Sequence, residues 1–191
     1  MECFDTSLAL HALIGASLII AGANLMARGE KVTRGYGAYC FALGYFIIGI
    51  AAAGRDVGRL HLTSRRYILG LGSATMIVAS TFMEHYHAQQ KIRQLLNKND
   101  EQSMPLSNML PKISQSLMYI GFAGLTITIA VRDDGSTNLV KGSLALGAFL
   151  MIGYTRSRLL DSMVSGQAVQ KHRIAHMLSW GLLVLAISYS C

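Results

Sequence analysis

Charge is what this 191-residue chain has least of. Asp, Glu, Lys and Arg make up only 14% of it while 52% is hydrophobic, against roughly a quarter charged in ordinary soluble domains. So few charges cannot cover a globular surface in water, and the deficit points to a bilayer. Proline is almost missing too: Pro105 and Pro111 are the only two, so long helices elsewhere run without a ring that breaks them. The three cysteines, Cys3, Cys40 and Cys191, have no metal-like spacing, and an odd number cannot all pair within one chain. No phosphate-binding glycine loop, nucleophile elbow or His-Glu-x-x-His motif occurs. The sequence leans away from an enzyme and gives no catalytic residue and no cofactor.

Uncharged apolar runs, by contrast, are abundant. A hydrocarbon core of about 30 Å takes roughly 17 to 25 helical residues, and backbone amides in lipid must be satisfied within the helix. Residues 8–27, 36–53, 67–83, 113–131 and 174–190 meet this length without a charge. Residues 139–155 form a sixth run. Lys141 lies inside it, near enough to the end for its ammonium to snorkel to the headgroups. The expected fold is therefore all-α: a polytopic transmembrane helical bundle of six short spans, in direct contact with lipid.

The leader before the first run carries Glu2 and Asp5 but no Lys or Arg, unlike a secretory signal, so the segment is expected to stay uncleaved. Arg28, Lys31 and Arg34 follow that run at once. By the positive-inside rule their loop is cytoplasmic and both termini are non-cytoplasmic. Most Lys and Arg share the Arg28 side; Arg55, Arg59, Arg65, Arg66, Arg132 and Lys141 lie opposite. The net charge of +7 is spread over these loops and not along one face, so it is read as topology and no nucleic-acid partner is expected.

The longest polar stretch, 84–112, divides the chain into a first three-span half (1–83) and a second (113–191). Within it, residues 88–98 are amphipathic and extend the third span, to stand in the cytoplasm or lie on the headgroups. ALGYF at 42–46 echoes ALGAF at 145–149. With an odd number of spans per half, such echoes allow two inverted three-helix halves.

Four-residue spacings of small side chains, Ala12 with Ala16, Ala38 with Ala42, Gly49 with Ala53 and Gly70 with Ala74, mark faces where helices approach closely. The metal-ligand candidates are His85 and His87 beside Glu84, with His172 and His176 one turn apart; the competing role for these rings is ordinary interfacial anchoring. Arg156, Arg158 and Asp161 with Ser162 and Ser165 suit a lipid phosphate. Gly35-Tyr36-Gly37 resembles part of a potassium filter, but Arg34 beside it and the single copy exclude that use. Cys3 and Cys191, sharing one side of the membrane, are a candidate disulfide.

No span holds a charge at its middle, as ion-coupled transporters generally do. The leading expectation is a non-enzymatic structural or accessory subunit packed with other membrane subunits or copies of itself, in a respiratory-type complex or a virion membrane. The alternative is a small channel or carrier for a neutral solute, lined by Asn24, Thr126 and Thr128.

Overall fold

The computed structural model describes residues 4–27, 31–54, 65–96, 106–131, 135–165 and 170–189. They form six helices and, among the described residues, no strand: α1 (Thr6–Ala27), α2 (Lys31–Ala52), α3 (Arg65–Leu96), α4 (Leu106–Ala130), α5 (Leu139–Ser165) and α6 (Gln170–Ser188). Four contain stretches long and apolar enough to cross a membrane: Thr6–Met26, Gly35–Ala52, Arg65–Glu84 and Pro111–Ala130. In α6 the apolar part, Arg173–Ser188, is shorter. In α5, Lys141 and Arg156 bracket the apolar part. A membrane-compatible helical bundle is thus present.

Local chemistry explains the helix ends. Asp5 caps α1, its carboxylate accepting from the Leu8 amide at 3.0 Å, and Asn138 caps α5 through the Lys141 amide at 3.0 Å, each satisfying an amide left open by the first turn. Gly54 ends α2 with a φ of 74°, a left-handed conformation that a Cβ would disfavour. Pro111 sits inside α4. The described parts of the polar stretch 84–112 are helical, as the end of α3 and the start of α4.

Each helix packs on the next, and α6 returns to α1, so the six close into a ring. The largest interfaces are α1 with α2, α3 with α4 and α5 with α6, which makes the unit of packing a helical hairpin, repeated three times. A division into 1–83 and 113–191 would cut between α3 and α4, the second of these hairpins. Asp5 donates its amide to the Ser188 carbonyl at 2.8 Å, and Phe4 pairs with Tyr189, so the described chain ends meet. Cys3 and Cys191 lie outside the described residues.

The first hairpin is joined by backbone contact. A Cβ at Gly22 would stand 2.6 Å from the Gly37 carbonyl oxygen and one at Gly37 2.7 Å from that of Gly22; Gly15 and Gly44 repeat the relation at 2.9 and 2.6 Å. Between α2 and α3, Gly49 and Gly70 do the same. In lipid, where apolar burial between helices drives little, such close approach supplies the dispersion and Cα–H···O contacts that hold helices together. The small residues Ala12, Ala16, Ala53 and Ala74 are buried on the same inner faces.

The outer surface is apolar. Fewer than half of the residues in each long span are buried within the bundle, and all six helices expose large apolar side chains, among them Leu13, Leu43, Ile68, Ile120, Leu146 and Leu178. A water-soluble bundle hides that surface; a lipid-embedded one presents it.

Candidate functional site

Polar groups within the spans are mostly closed off locally. Asn24 bonds to the Ile20 carbonyl, Thr75 to Leu71, Thr126 to Phe122, Thr128 to Gly124 and Ser179 to Ala175, all between 2.7 and 2.9 Å. Each hydroxyl, and one N–H of the Asn24 amide, is satisfied one turn back, as the apolar surroundings demand. Asn24 is exposed on α1 whereas Thr128 is wholly buried on α4, so the two do not line a shared path.

Besides the buried Ser114 hydroxyl of α4, which donates to the Ser80 carbonyl of α3 at 3.0 Å, three arrangements go beyond local closure. At the bundle end formed by the α2–α3 connection, the Arg66 guanidinium of α3 donates through Nη2 to the Thr128 carbonyl at 3.0 Å and to the Ala52 carbonyl at 3.4 Å. It thereby places a cation on the C-terminal turns of α2 and α4, where carbonyls lack helical partners and the dipole is negative.

In the opposite half, a hydrogen-bond chain links α5 and α6. Trp180 Nε1 donates to His176 Nε2 at 3.1 Å, and His176 Nδ1 lies 2.9 Å from Thr155 Oγ1. Thr155 uses its own hydrogen on the Met151 carbonyl at 2.7 Å, so the imidazole carries its proton on Nδ1 and donates it to Thr155. Tyr45 of α2 packs edge-on against Trp180, with centroids 5.9 Å apart.

Next to this chain is the third arrangement, a groove between α3, α4 and α5 with a volume of about 290 Å³. Glu84, Gln115, Met118, Tyr119, Leu150, Gly153, Tyr154 and Arg156 line it. Arg156 Nη2 forms an ion pair with Glu84, and Nη1 points at the Met118 sulfur, 3.2 Å away. The two side chains are 19% and 28% exposed, so the pair is screened less than one on a surface. Tyr119 and Tyr154 stand exposed at the sides. The Arg158 guanidinium lies over the Tyr154 ring, 5.4 Å from its centroid.

Of the proposed metal ligands, the side chains of His85 and His172 lie outside the described residues. Both ring nitrogens of His176 face protein partners. Among the described residues, no three of His, Cys, Asp and Glu come together as a metal site. The side chains of Asp161, Ser162 and Ser165 are outside the described set, and Arg156 turns to Glu84. In the sequence Glu84 stands beside the histidines and Arg156 in the headgroup run; the fold brings the two together. Opposite charges near the C-terminal parts of α3 and α5 are the one hint in the sequence that the two pair.

Compared with known proteins, the chain matches no family model, no curated protein and no solved structure.

Proposed function

We propose that this protein is an integral membrane protein crossing the bilayer six times, with both termini non-cytoplasmic, and that it works as a non-enzymatic structural subunit of a larger membrane assembly. Such an assembly is of the respiratory-complex or virion-membrane kind. Six crossings rest on the ring of helices and on the meeting of Phe4 with Tyr189, which requires an even number. The apolar part of α6, Arg173–Ser188, reaches about 24 Å at about 1.5 Å per residue, a short span that local thinning of a hydrocarbon core of about 30 Å accommodates.

The observation that carries the assembly role is the pair of outward glycines Gly72 on α3 and Gly181 on α6. Both are exposed, and a Cβ at either would meet nothing within 4 Å. Glycine inside a helix is about 1 kcal/mol worse than alanine, and Gly15, Gly22, Gly37 and Gly44 are explained by close helix contact within the chain. Gly72 and Gly181 have no such internal use and leave smooth patches for a neighbouring helix. The carrier alternative has less support, because Asn24, Thr126 and Thr128 each bond to their own helix.

The test is the mass of the intact particle after mild detergent extraction. A subunit role gives recovery with other polypeptides, and Gly72→Leu or Gly181→Leu releases a folded monomer. A wild-type chain recovered as a stable monomer that carries solute into liposomes sinks the proposal.

A further inference from the structure

We propose that the groove between α3, α4 and α5 binds one phospholipid with a primary-ammonium, zwitterionic headgroup. The phosphate sits against the Arg156 guanidinium, and the ammonium against the Glu84 carboxylate and the rings of Tyr119 and Tyr154. The acyl chains run down the apolar wall at Leu150 and Gly153.

Depth is the first support. Glu84 ends the apolar stretch Arg65–Glu84, so the ion pair lies where hydrocarbon gives way to headgroups. Exposed tyrosines gather at this end on three helices, Tyr36, Tyr86 and Tyr154, as amphipathic rings do at a membrane interface.

Charge complementarity is the second. Glu84 and Arg156 present an anion and a cation side by side in a groove of about 290 Å³, and a zwitterionic headgroup carries the two opposite charges in the same proximity. The guanidinium has donor capacity to offer: it gives Nη2 to Glu84 but Nη1 only to the Met118 thioether, a weak acceptor. A phosphate oxygen is a much stronger partner for that N–H and takes guanidinium donors in planar pairs. An ammonium on the other side gains from the carboxylate and from the aromatic faces.

The third support is the groove floor. A Cβ at Gly153 would meet only Phe122 and Tyr119, at 3.8 and 3.9 Å, which is ordinary contact. A Cβ is sterically tolerated there, so Gly153 is not needed for helix approach. A larger side chain at this lining position fills the groove, and thermal unfolding reports whether the bundle stays intact.

The full-length protein in detergent is titrated with phosphatidylethanolamine or phosphatidylglycerol, and lipid retention is read by native mass spectrometry. Thermal unfolding is followed in parallel to report on folding. One phosphatidylethanolamine is retained at least about fivefold more tightly than phosphatidylglycerol, which lacks the ammonium. Glu84→Gln abolishes the preference, and Gly153→Leu weakens retention about tenfold or more while unfolding stays near wild type. Equal retention of the two lipids, or retention unchanged in a folded Gly153→Leu protein, overturns the proposal. Soluble O-phosphoethanolamine does not displace the lipid, because it lacks the acyl chains; displacement at equal concentration overturns the lipid in favour of a small-solute site.

Discussion

Gly22 of α1 and Gly37 of α2 face each other with no side chain between them, each backbone standing where the other's Cβ would be. Together with Gly15 and Gly44, one heptad away on each helix, they fix the separation of the first hairpin. A side chain at one of them therefore acts on the whole interface and not at a point.

Gly22→Ala is expected to destabilise the bundle by about 1–3 kcal/mol, the usual cost of overpacking, because its methyl would lie 2.5 Å from the Phe41 amide nitrogen and 2.6 Å from the Gly37 oxygen. At this chain length that lowers Tm by roughly 3–10 °C. Gly147→Ala is the control. A Cβ there meets nothing within 4 Å, and the better helix propensity of alanine leaves stability unchanged or slightly higher. Thermal unfolding of both variants in detergent checks the contrast; equal effects would refute backbone contact as the basis of the α1–α2 interface.

The Glu84–Arg156 pair links α3 to α5. Either Glu84→Gln or Arg156→Gln leaves a partly buried charge without its partner, expected to cost about 1–3 kcal/mol. The double variant removes both charges and is expected to cost less than the two singles together, with a coupling of at least about 1 kcal/mol. A double-mutant cycle on chemical unfolding measures this. Strict additivity would mean that the pair contributes geometry but no net stability.

Thr155 differs from the other span threonines in serving two partners. Thr126→Val removes only a bond to the helix's own Phe122 carbonyl and is expected to cost well under about 1 kcal/mol. Thr155→Val also strips the acceptor from His176 Nδ1, leaving a half-buried N–H unpaired, at a cost of about 1–3 kcal/mol. Trp180, the only tryptophan, bonds to the same imidazole. Its fluorescence therefore shifts in the Thr155 variant and not in the Thr126 variant.

Helix positions were largely legible because lipid demands length and an unbroken apolar run, both visible in one dimension. Even the run containing Lys141 begins where α5 begins, at Leu139, and the helix expected beyond the third span is there, with α3 extending to Leu96. Pairing was less legible. The echo of ALGYF in ALGAF does not carry over to packing, since Gly44 meets Gly15 while Gly147 meets nothing within 4 Å. Composition says that small residues approach other helices but not which ones; the four-residue spacings read from the sequence missed Gly15, Gly22, Gly37 and Gly44, whose shared seven-residue spacing carries the α1–α2 contact. The groove was hidden for a similar reason. Glu84 and Arg156 are 72 residues apart, and nothing local tells either that the other is its partner.

Orientation rests on the charge bias alone, and one pair of labels tests it. Ser136 lies in the α4–α5 turn and Lys112 near the start of α4, both exposed, with the apolar stretch Pro111–Ala130 between them. In a chain with Cys3, Cys40 and Cys191 replaced, a membrane-impermeant maleimide added from the non-cytoplasmic side is expected to label Ser136→Cys and spare Lys112→Cys. The reverse pattern would keep the fold but invert it, placing the Arg28 loop outside against the positive-inside rule. Labelling of both from one side would mean that α4 does not cross. Because α4 is packed against both α3 and α5, those neighbours would then have to lie outside the membrane with it, and the six-crossing arrangement would fail as a whole.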